Sequence, residues 1–537
     1  MKNWLKVLVI YFIFGLFIYF NSLNNKFLID DLAFLRNPVM SQLKFVLSQW
    51  DPYREQAMGV LDKHESLPYY RPMTHMVYNF IYAAFKGNYW QYHLLNLFLF
   101  AFASSLVFKL IDKLTGNHNL ALLAGLFYLI HPINGILVNY ISACVFSFQV
   151  IFMLGTILLL LGSLERKNDR TLYFLSLLFS FLSLFWHESA LMTPLYAAVV
   201  ILLFRDDPKE SKLRYLFPYF LIVFSYIIFR PLFLTSNDNV FMQLALLHMT
   251  GWEYPAVMFK VLAWYIGKLF YPQGIVMGWG TPILQGHVIL NVLGLFSLFM
   301  VFLLFYIRFA KEKILQMAVI WTLIGFIPVF LAAVVRSYTC AVIEPHWFIF
   351  SSIGFFILAA YFCLFILDRS KKTGIILLFI VVFSWGSVSF AYNQLWGDQR
   401  TYARYWLLQA PFLKTTYTYL AYAEEIQGDL KESRKNFMMS LSGHTYDEVI
   451  YDNLGYIDVA EGNFKDAELD CRMALKINPY SADAYHNLGS MYYAEGLFYR
   501  ARENFELSLI FNPFLLDSRK GLEDIRHINV QNSPYTR

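Results

Sequence analysis

Long apolar runs separated by short polar connections make up the first 395 or so residues of this sequence. A run of about 20 apolar residues is long enough to cross a bilayer as a helix. The pattern predicts about eleven such spans, near residues 4–21, 91–111, 119–138, 144–163, 171–187, 190–204, 213–234, 286–307, 315–335, 346–366 and 374–393. Residues 1–395 are therefore predicted to form a multi-span membrane domain with a long loop at 22–90.

Lysine and arginine residues occur in groups on alternate connections, near residues 2–6, 109–113, 166–170, 205–214, 308–313 and 369–372. By the positive-inside rule these groups lie in the cytoplasm, as does the amino terminus. The apolar stretch 254–272 contains Lys260 and Lys268, and we interpret it as an interfacial or re-entrant helix on the outer side. The odd number of crossings then places the 22–90 loop and the carboxyl-terminal part outside the cytoplasm.

The composition becomes polar near residue 400, which predicts a second domain over 400–537. Within it, Leu-Gly at 454–455 recurs at 488–489, and Asn-Pro at 478–479 recurs at 512–513. The spacing of 34 residues is the period of the tetratricopeptide repeat, a pair of antiparallel helices. We predict repeats near 414–447, 448–481 and 482–515 with a capping helix, so that the whole chain is all-α. This α-solenoid either docks an extended peptide or serves as a passive stabilising cap.

Composition excludes several other classes of protein. With 58% hydrophobic and 15% charged residues, the chain is too apolar for a water-soluble globular protein. The net charge of +5 is spread over short loops, so no nucleic-acid partner is expected. The four cysteines are scattered without C-x-x-C spacing, which predicts neither a disulfide framework nor a metal centre.

Polar residues that carry chemistry cluster at span ends on the predicted outer side. The candidates are Asp30, Asp31, Arg71, His93, His131, His187, Glu188, Arg230, Arg336 and His346. Adjacent carboxylates such as Asp30 and Asp31 can hold one pKa near the working pH, which suits a general base, although a solvated pair at a helix end has the same sequence.

The other candidates have equally simple structural alternatives. Arginine binds phosphate in a forked geometry, but an isolated arginine also anchors a helix at the lipid headgroups. His131 precedes Pro132, so its imidazole could cap a helix end. His187 and Glu188 interrupt a long apolar stretch, where a simple turn does not require an acid beside an imidazole. This position favours a functional role for the pair.

Taken together, these motifs resemble a known family. They are Asn-Lys-Phe-Leu-Ile-Asp-Asp at 25–31, Tyr-Arg-Pro at 70–72, Tyr-His-Leu-Leu-Asn at 92–96, His-Pro at 131–132 and the carboxyl-terminal repeats. In this order they resemble the transmembrane and tetratricopeptide-repeat O-mannosyltransferases, which belong to the GT-C superfamily of polyprenyl-phosphate-sugar glycosyltransferases. The resemblance covers the whole chain.

The resemblance implies an integral-membrane glycosyltransferase. It would move a mannose-like sugar from a polyprenyl phosphate to an extracytoplasmic hydroxyl, such as that of a protein serine or threonine, with inversion. Asp30 or Asp31 would be the base, and the arginine and histidine candidates would hold the lipid phosphate. No D-x-D signature accompanies Asp30, so we expect no metal and no cofactor beyond the lipid-linked sugar. The alternatives are an outer-leaflet glycan transferase or ligase with a non-protein acceptor, and a non-catalytic membrane scaffold.

The charge pattern gives a topology that can be tested directly. Single cysteines introduced at residue 210 and at residue 485 should be labelled from opposite sides of the membrane, with residue 210 reached only from the cytoplasm. Membrane-impermeant maleimide on sealed vesicles of known orientation makes the measurement. Labelling of residue 485 from the cytoplasmic side alone would overturn the assignment.

Overall fold

The structure, a computed structural model, describes residues 2–28, 31, 71–166, 169–229, 253–282, 311–335, 340–442, 447–513 and 515–531. These residues are almost entirely helical, which confirms the prediction of an all-α chain. They divide into two compact units, of which the first ends at Leu413 and the second begins at Lys414.

The first unit contains fifteen α-helices among its described residues. They are α1 (Lys2–Tyr19), α2 (Pro72–Phe85), α3 (Tyr89–Thr115), α4 (His118–Ile130), α5 (Ile136–Asn139), α6 (Cys144–Glu165), α7 (Arg170–Ser183), α8 (Thr193–Phe204), α9 (Lys209–Phe229), α10 (Glu253–Phe270), α11 (Lys313–Ile324), α12 (Phe326–Val335), α13 (Ser352–Arg369), α14 (Lys371–Leu395) and α15 (Gln399–Gln409). A short antiparallel pair, β1 (Trp279–Pro282) and β2 (Cys340–Ile343), joins two connecting segments.

Every predicted span that falls within the described residues contains a helix. Seven of these helical segments are long and apolar enough to cross a membrane. An eighth candidate is broken: α4 and the segment Pro132–Asn139 meet at 57°. The helices Arg170–Ser183 and Glu188–Phe204 are apolar but shorter. The predicted span at 286–307 lies outside the described residues, so the count of eleven stays a prediction.

A buried network of amide side chains joins the end of α1 to the break after α4 and to the end of α14. Asn139 donates from Nδ2 to Asn393 Oδ1 at 2.7 Å, and its own Oδ1 accepts from Ser22 Oγ at 2.7 Å. Asn393 Nδ2 in turn donates to the carbonyl oxygen of Ile18 at 2.9 Å. Asn139 and Asn393 are almost completely buried. Because buried polar groups are costly unless they are paired, this network fixes the three segments together.

The same network determines where the chain goes after α1. Asn25 donates from Nδ2 to the carbonyl oxygen of Asn393 at 2.9 Å, and its own carbonyl oxygen lies 3.0 Å from His93 Nε2. The backbone then continues to a turn in which the amide of Asp31 donates to the carbonyl oxygen of Leu28 at 3.0 Å. The start of the first long loop is therefore anchored to α3 and α14.

The first unit extends beyond the last predicted span, through α15. Trp406 Nε1 donates to the carbonyl oxygen of Gly278, and the hydroxyl of Tyr402 accepts from the amide of Met277 at 2.8 Å. Tyr402 also packs on Trp396, with ring centroids 4.3 Å apart. Helix α15 therefore packs with the segment before β1 and belongs to the first unit, although its polar composition had placed it after the boundary near residue 400.

The second unit is a tetratricopeptide-like helical repeat. Its helices are α16 (Lys414–Ile426), α17 (Leu430–Leu441), α18 (Glu448–Glu461), α19 (Phe464–Ile477), α20 (Ala482–Ala494), α21 (Phe498–Phe511) and α22 (Leu516–Gln531). The turn inside each pair contains a glycine with positive φ, namely Gly428, Gly462 and Gly496 at 80°, 77° and 78°. Only glycine adopts this conformation without strain. A glycine every 34 residues therefore produces the same turn in each of the three pairs.

Small residues allow the two helices of a pair to approach closely. A Cβ at Gly455 would lie 2.6 Å from Cys471 Sγ, and one at Gly489 would lie 2.6 Å from Phe505 Cδ1. The core between the pairs contains Leu488, Met491 and Phe505, each at most 4% exposed. The repeated Leu-Gly motif therefore encodes both the core residue and the close contact beside it.

The amide network predicts a measurable loss of stability. Asn139→Ala removes the partner of Ser22 and of Asn393, and each unsatisfied buried group costs about 1–3 kcal/mol. We expect a lower thermal unfolding midpoint of the purified protein in detergent. The control is Asn119→Ala, an exposed asparagine near the start of α4. Equal midpoints for the two variants would contradict the structural role of the network.

Candidate active site

Asp31 is a buried carboxylate that is bonded to backbone and hydroxyl donors. Its Oδ1 accepts from the amide of Ser142 at 2.8 Å and from the Ser142 hydroxyl, and its Oδ2 accepts from the amide of Leu28 at 3.4 Å. Asp31 is 2% exposed. Donors of this kind stabilise the ionised carboxylate and fix its orientation. The geometry suits a residue that holds the loop in place better than one that takes up a proton from a substrate.

Arg71 and Glu188 form an ion pair between two distant parts of the chain. Arg71 precedes Pro72, which occupies the first position of α2, where proline fits because the missing N–H has no helical acceptor. The guanidinium donates from Nε to Glu188 Oε2 at 3.0 Å and from Nη2 to the same oxygen. The side chains are 15% and 22% exposed, so the pair is shielded from water on most sides.

His187 lies beside this ion pair and begins the 3₁₀ helix Glu188–Met192. Its Nδ1 accepts from the amide of Ser189 at 3.2 Å and lies 2.9 Å from the Ser189 hydroxyl. Because Nδ1 accepts a backbone N–H, the proton of the neutral ring resides on Nε2. Nε2 lies 3.9 Å from Glu188 Oε2, the same oxygen that binds Arg71. The carboxylate oxygen that Arg71 binds therefore lies close to the imidazole of His187, at a distance longer than a hydrogen bond.

A second imidazole and carboxylate pair packs against the first. His346 Nε2 lies 2.8 Å from Glu344 Oε2, and the side chains are 8% and 18% exposed. The ring of Phe146 packs against both histidines, with its centroid 4.2 Å from that of His346 and 5.2 Å from that of His187. The two imidazole centroids are 6.2 Å apart. Residues separated by more than 150 positions in the sequence thus meet around one aromatic ring.

Ser142 is a partner of Asp31. Its carbonyl oxygen accepts from the hydroxyl of Tyr78, which belongs to the same helix that Arg71 precedes. Ser142 also lies just ahead of α6, whose first turn carries Phe146. Ser142 therefore joins Asp31 to Tyr78 of α2 by hydrogen bonds, and it lies just ahead of the helix that carries Phe146.

His93 and His131 are placed differently from the other candidates. Both are completely buried. His93 has the carbonyl oxygens of Val138 and Asn25 at 2.8 and 3.0 Å from its two ring nitrogens. His93 therefore holds two backbone segments in place.

His131 stands at the break after α4. Its Nδ1 accepts from the amide of Ile133 at 3.2 Å, and its Nε2 lies 3.1 Å from the carbonyl oxygen of Leu269. Its ring packs edge-on against Trp385 with centroids 4.5 Å apart. These contacts correspond to the alternative in which the imidazole caps a helix end.

Three predicted site residues, Asp30, Arg230 and Arg336, lie outside the described residues. Sequence reasoning missed Ser142 and Phe146, the residues that connect the candidates. A serine at a span end and a phenylalanine in an apolar helix carry no signal of their own, because both are common there. Gln149, which bonds Ser189, could have been found as an amide inside an otherwise apolar run.

The arrangement can bind an anion and stabilise charge. A guanidinium held by a carboxylate has a fixed orientation, and a carboxylate beside an imidazole stabilises the cationic ring. Among the described residues there is no group of three or more histidine, cysteine or acidic side chains that could hold a metal ion.

Comparisons with known proteins do not identify this chain. No protein-family model matches the sequence. No curated protein matches it. Among solved structures, the APC/C hetero-tetramer Cut9-Hcn1 is similar with 13% identity over 92% of this chain and 89% of that chain, at a TM-score of 0.24. Neither fold nor function follows from a similarity at this level.

The shielded position of the Arg71 and Glu188 pair predicts strong energetic coupling. In a double-mutant cycle of Arg71→Met and Glu188→Gln, we expect a coupling of about 1–3 kcal/mol in unfolding free energy. The control cycle is Lys113→Met with Glu165→Gln, a more exposed pair at 25% and 48%, with under about 1 kcal/mol expected. Thermal unfolding in detergent measures both cycles. A coupling no larger than in the control would show that the pair is not held as described.

Proposed function

We propose that the first unit is a GT-C-type glycosyltransferase that moves a mannose-like sugar from a polyprenyl phosphate to an extracytoplasmic hydroxyl. The observation that carries the proposal is the convergence of His187 and His346 on Phe146, beside the ion pair of Arg71 and Glu188. Ser142, which binds Asp31, lies just ahead of the helix that carries Phe146. The cationic groups suit the binding of a phosphate leaving group, and the acidic loop suits a general base. The motif resemblance supplies the sugar class, and serine or threonine of a protein is the acceptor that it implies.

Asp30 is the residue that we assign as the general base. Its neighbour Asp31 has both carboxylate oxygens engaged by Ser142 and Leu28, so that Asp31 positions the turn. Asp30 takes the proton of the acceptor hydroxyl, and the oxygen attacks the anomeric carbon of the sugar. The bond from that carbon to the phosphate oxygen breaks on the opposite side, so the configuration inverts. A base of this kind contributes about 10²- to 10⁴-fold.

The leaving group determines the role of the cations. The electron pair of the broken bond goes to the phosphate, which leaves as polyprenyl phosphate with an additional negative charge. Arg71, oriented by Glu188, binds the phosphate through its guanidinium. His346, whose Nε2 lies 2.8 Å from Glu344 Oε2, stabilises the added charge in its cationic form. His187 is a neutral imidazole that donates its Nε2 proton to a phosphate oxygen. Arg230 and Arg336 are proposed as further phosphate ligands, whereas His93 and His131 support the backbone.

A substitution that removes basicity without changing shape tests this assignment. Asp30→Asn should lower the turnover of mannosyl transfer from dolichyl or undecaprenyl phosphate mannose by about two to four orders of magnitude. Donor affinity should stay near that of the unsubstituted protein, because Asp30 does not bind the phosphate. Asp31→Asn should lower turnover less. Purified protein with a radiolabelled donor and a serine-rich peptide acceptor gives the rate.

The matched control is Asp112→Asn, an exposed carboxylate near the end of α3, which should leave turnover unchanged. Near-normal turnover in both Asp30→Asn and Asp31→Asn would refute the assignment of the base. If the unsubstituted protein transfers sugar only to a lipid-linked glycan, the acceptor part of the proposal is wrong. If it neither binds nor turns over any lipid-linked sugar, a non-catalytic scaffold replaces the proposal.

A further inference from the structure

The first helices of the repeats pack side by side and form the inner face of the second unit. Helix α18 packs on α20, and α20 packs on α22. Each second helix lies between its own first helix and the next one. Solenoids of this kind curve so that one row of helices lines a concave surface, which is the usual binding surface. The residues that project from α16, α18 and α20 at equivalent positions therefore share one face.

Carboxylates gather on this face from all three pairs. They are Glu425, Asp447, Glu448, Asp452 and Asp483. Burial raises the pKa of Asp452 to about 8, and the negative charges of Asp483, Glu448 and Asp447 contribute to the shift. Burial also raises the pKa of Glu425 to about 7. Within the described part of the chain, none of these acids forms an ion pair with lysine or arginine. The negative charges of Asp483, Glu448 and Asp447 raise the pKa of Asp452, whereas the imidazole of His486 acts to lower the pKa of Asp483.

Two of these side chains have oxygen atoms that lack a donor within the described residues. Asp452 is 8% exposed, and its Oδ2 accepts from the Ser481 hydroxyl at 2.8 Å. Its Oδ1 is buried and accepts no hydrogen bond, and the same holds for Glu425 Oε2. A buried acceptor without a donor costs about 1–3 kcal/mol. A donor from outside the chain would remove this cost.

Apolar side chains accompany the acids on the same face. Ile426, Val449 and Tyr456 are 59%, 43% and 45% exposed. Val449 and Asp483 occupy equivalent positions 34 residues apart, as do Tyr456 and Tyr422. The surface thus offers carboxylates next to exposed apolar groups. An ammonium or guanidinium carried on an aliphatic stem is complementary to both.

We propose that the inner face of the repeats binds an extended segment of another protein that carries lysine or arginine, with the cation placed between Asp452 and Asp483. The cation supplies both the missing donor and the missing positive charge. The stem and neighbouring apolar residues of the segment contact Val449 and Tyr456. This binding does not depend on sugar transfer, so it can be tested without any enzymatic assay.

The experiment compares two synthetic peptides on the purified full chain in detergent. One peptide of about twelve residues contains lysine between serine and tyrosine, and the other has glutamate in place of lysine. Fluorescence anisotropy should give at least about tenfold tighter binding of the lysine peptide. Asp452→Asn with Asp483→Asn should remove most of this preference. Asp466→Asn, an exposed acid on α19, is the matched control and should leave it unchanged.

A pH series adds a readout that general electrostatic attraction does not give. Asp452 must lose a proton to pair with the cation, so the lysine peptide should bind more tightly as pH rises from 6 to 9. Among the described residues, the titratable groups around Asp452 are Asp447, Glu448, Asp483 and Cys471, and His486 lies beside Asp483. Burial lowers the pKa of His486, and its imidazole gains no charge as pH rises. Lysine stays charged over this range. Asp452→Asn should flatten the pH dependence.

Three results would overturn the proposal. They are equal affinity of the protein for the two peptides, undiminished preference in the double variant, and failure of the lysine peptide to bind at pH 9. Asp483→Asn alone is a second variant for the case in which the double variant unfolds, because Asp483 is exposed at the start of α20. Replacing a buried, proton-binding acid by asparagine should preserve or raise stability at pH 8. Thermal unfolding of each variant checks that the fold is intact.

Discussion

The buried amide network between α1, the break after α4 and α14 is the constraint on which the first unit depends. The interior of a packed helical unit offers no water to satisfy a polar group, so a buried asparagine must find a partner in the protein. Asn139 and Asn393 find each other, and through Ser22 and Ile18 they also hold the end of α1. The ends of α1 and α14 and the break after α4, which are far apart in the sequence, are thereby joined.

This network positions backbone segments that carry residues of the candidate site. Asn25 is bonded to Asn393 of the network, and a few residues later the chain reaches Asp31, which binds Ser142. On the other side of Ser142, Tyr78 and Phe146 lead to the two pairs of imidazole and carboxylate. The polar residues of the site therefore rest on fixed backbone segments and do not depend on one another alone. Preorganisation of this kind is what a site for charge stabilisation requires.

Sequence reasoning predicted the all-helical architecture and the helical repeats, and it named several of the residues that the structure brings together. The 34-residue period and the apolar runs give strong signals, because each repeats many times along the chain. The meeting of Arg71 with Glu188 and of His187 with His346 could not be predicted, because residues that far apart in sequence meet only through packing.

Residue type alone also could not distinguish a histidine that supports the backbone from one that lies beside a carboxylate. His131 and His187 both stand at helix ends, yet one is bonded to backbone on both sides and the other faces a carboxylate. The extent of the first unit shows the same limit. The polar composition after residue 400 predicted that α15 belongs to the second domain. Tyr402 and Trp406 instead bond α15 to the segment before β1, in the first unit.

Glu188 Oε2 faces both a guanidinium and an imidazole. Arg71 donates to it, and His187 Nε2 lies 3.9 Å away. When a bound anion draws the guanidinium away, Glu188 loses this donor, and the Nε2 proton of His187 is a neighbouring replacement. Binding of an anion at Arg71 is thereby coupled to the hydrogen bonding of the next imidazole.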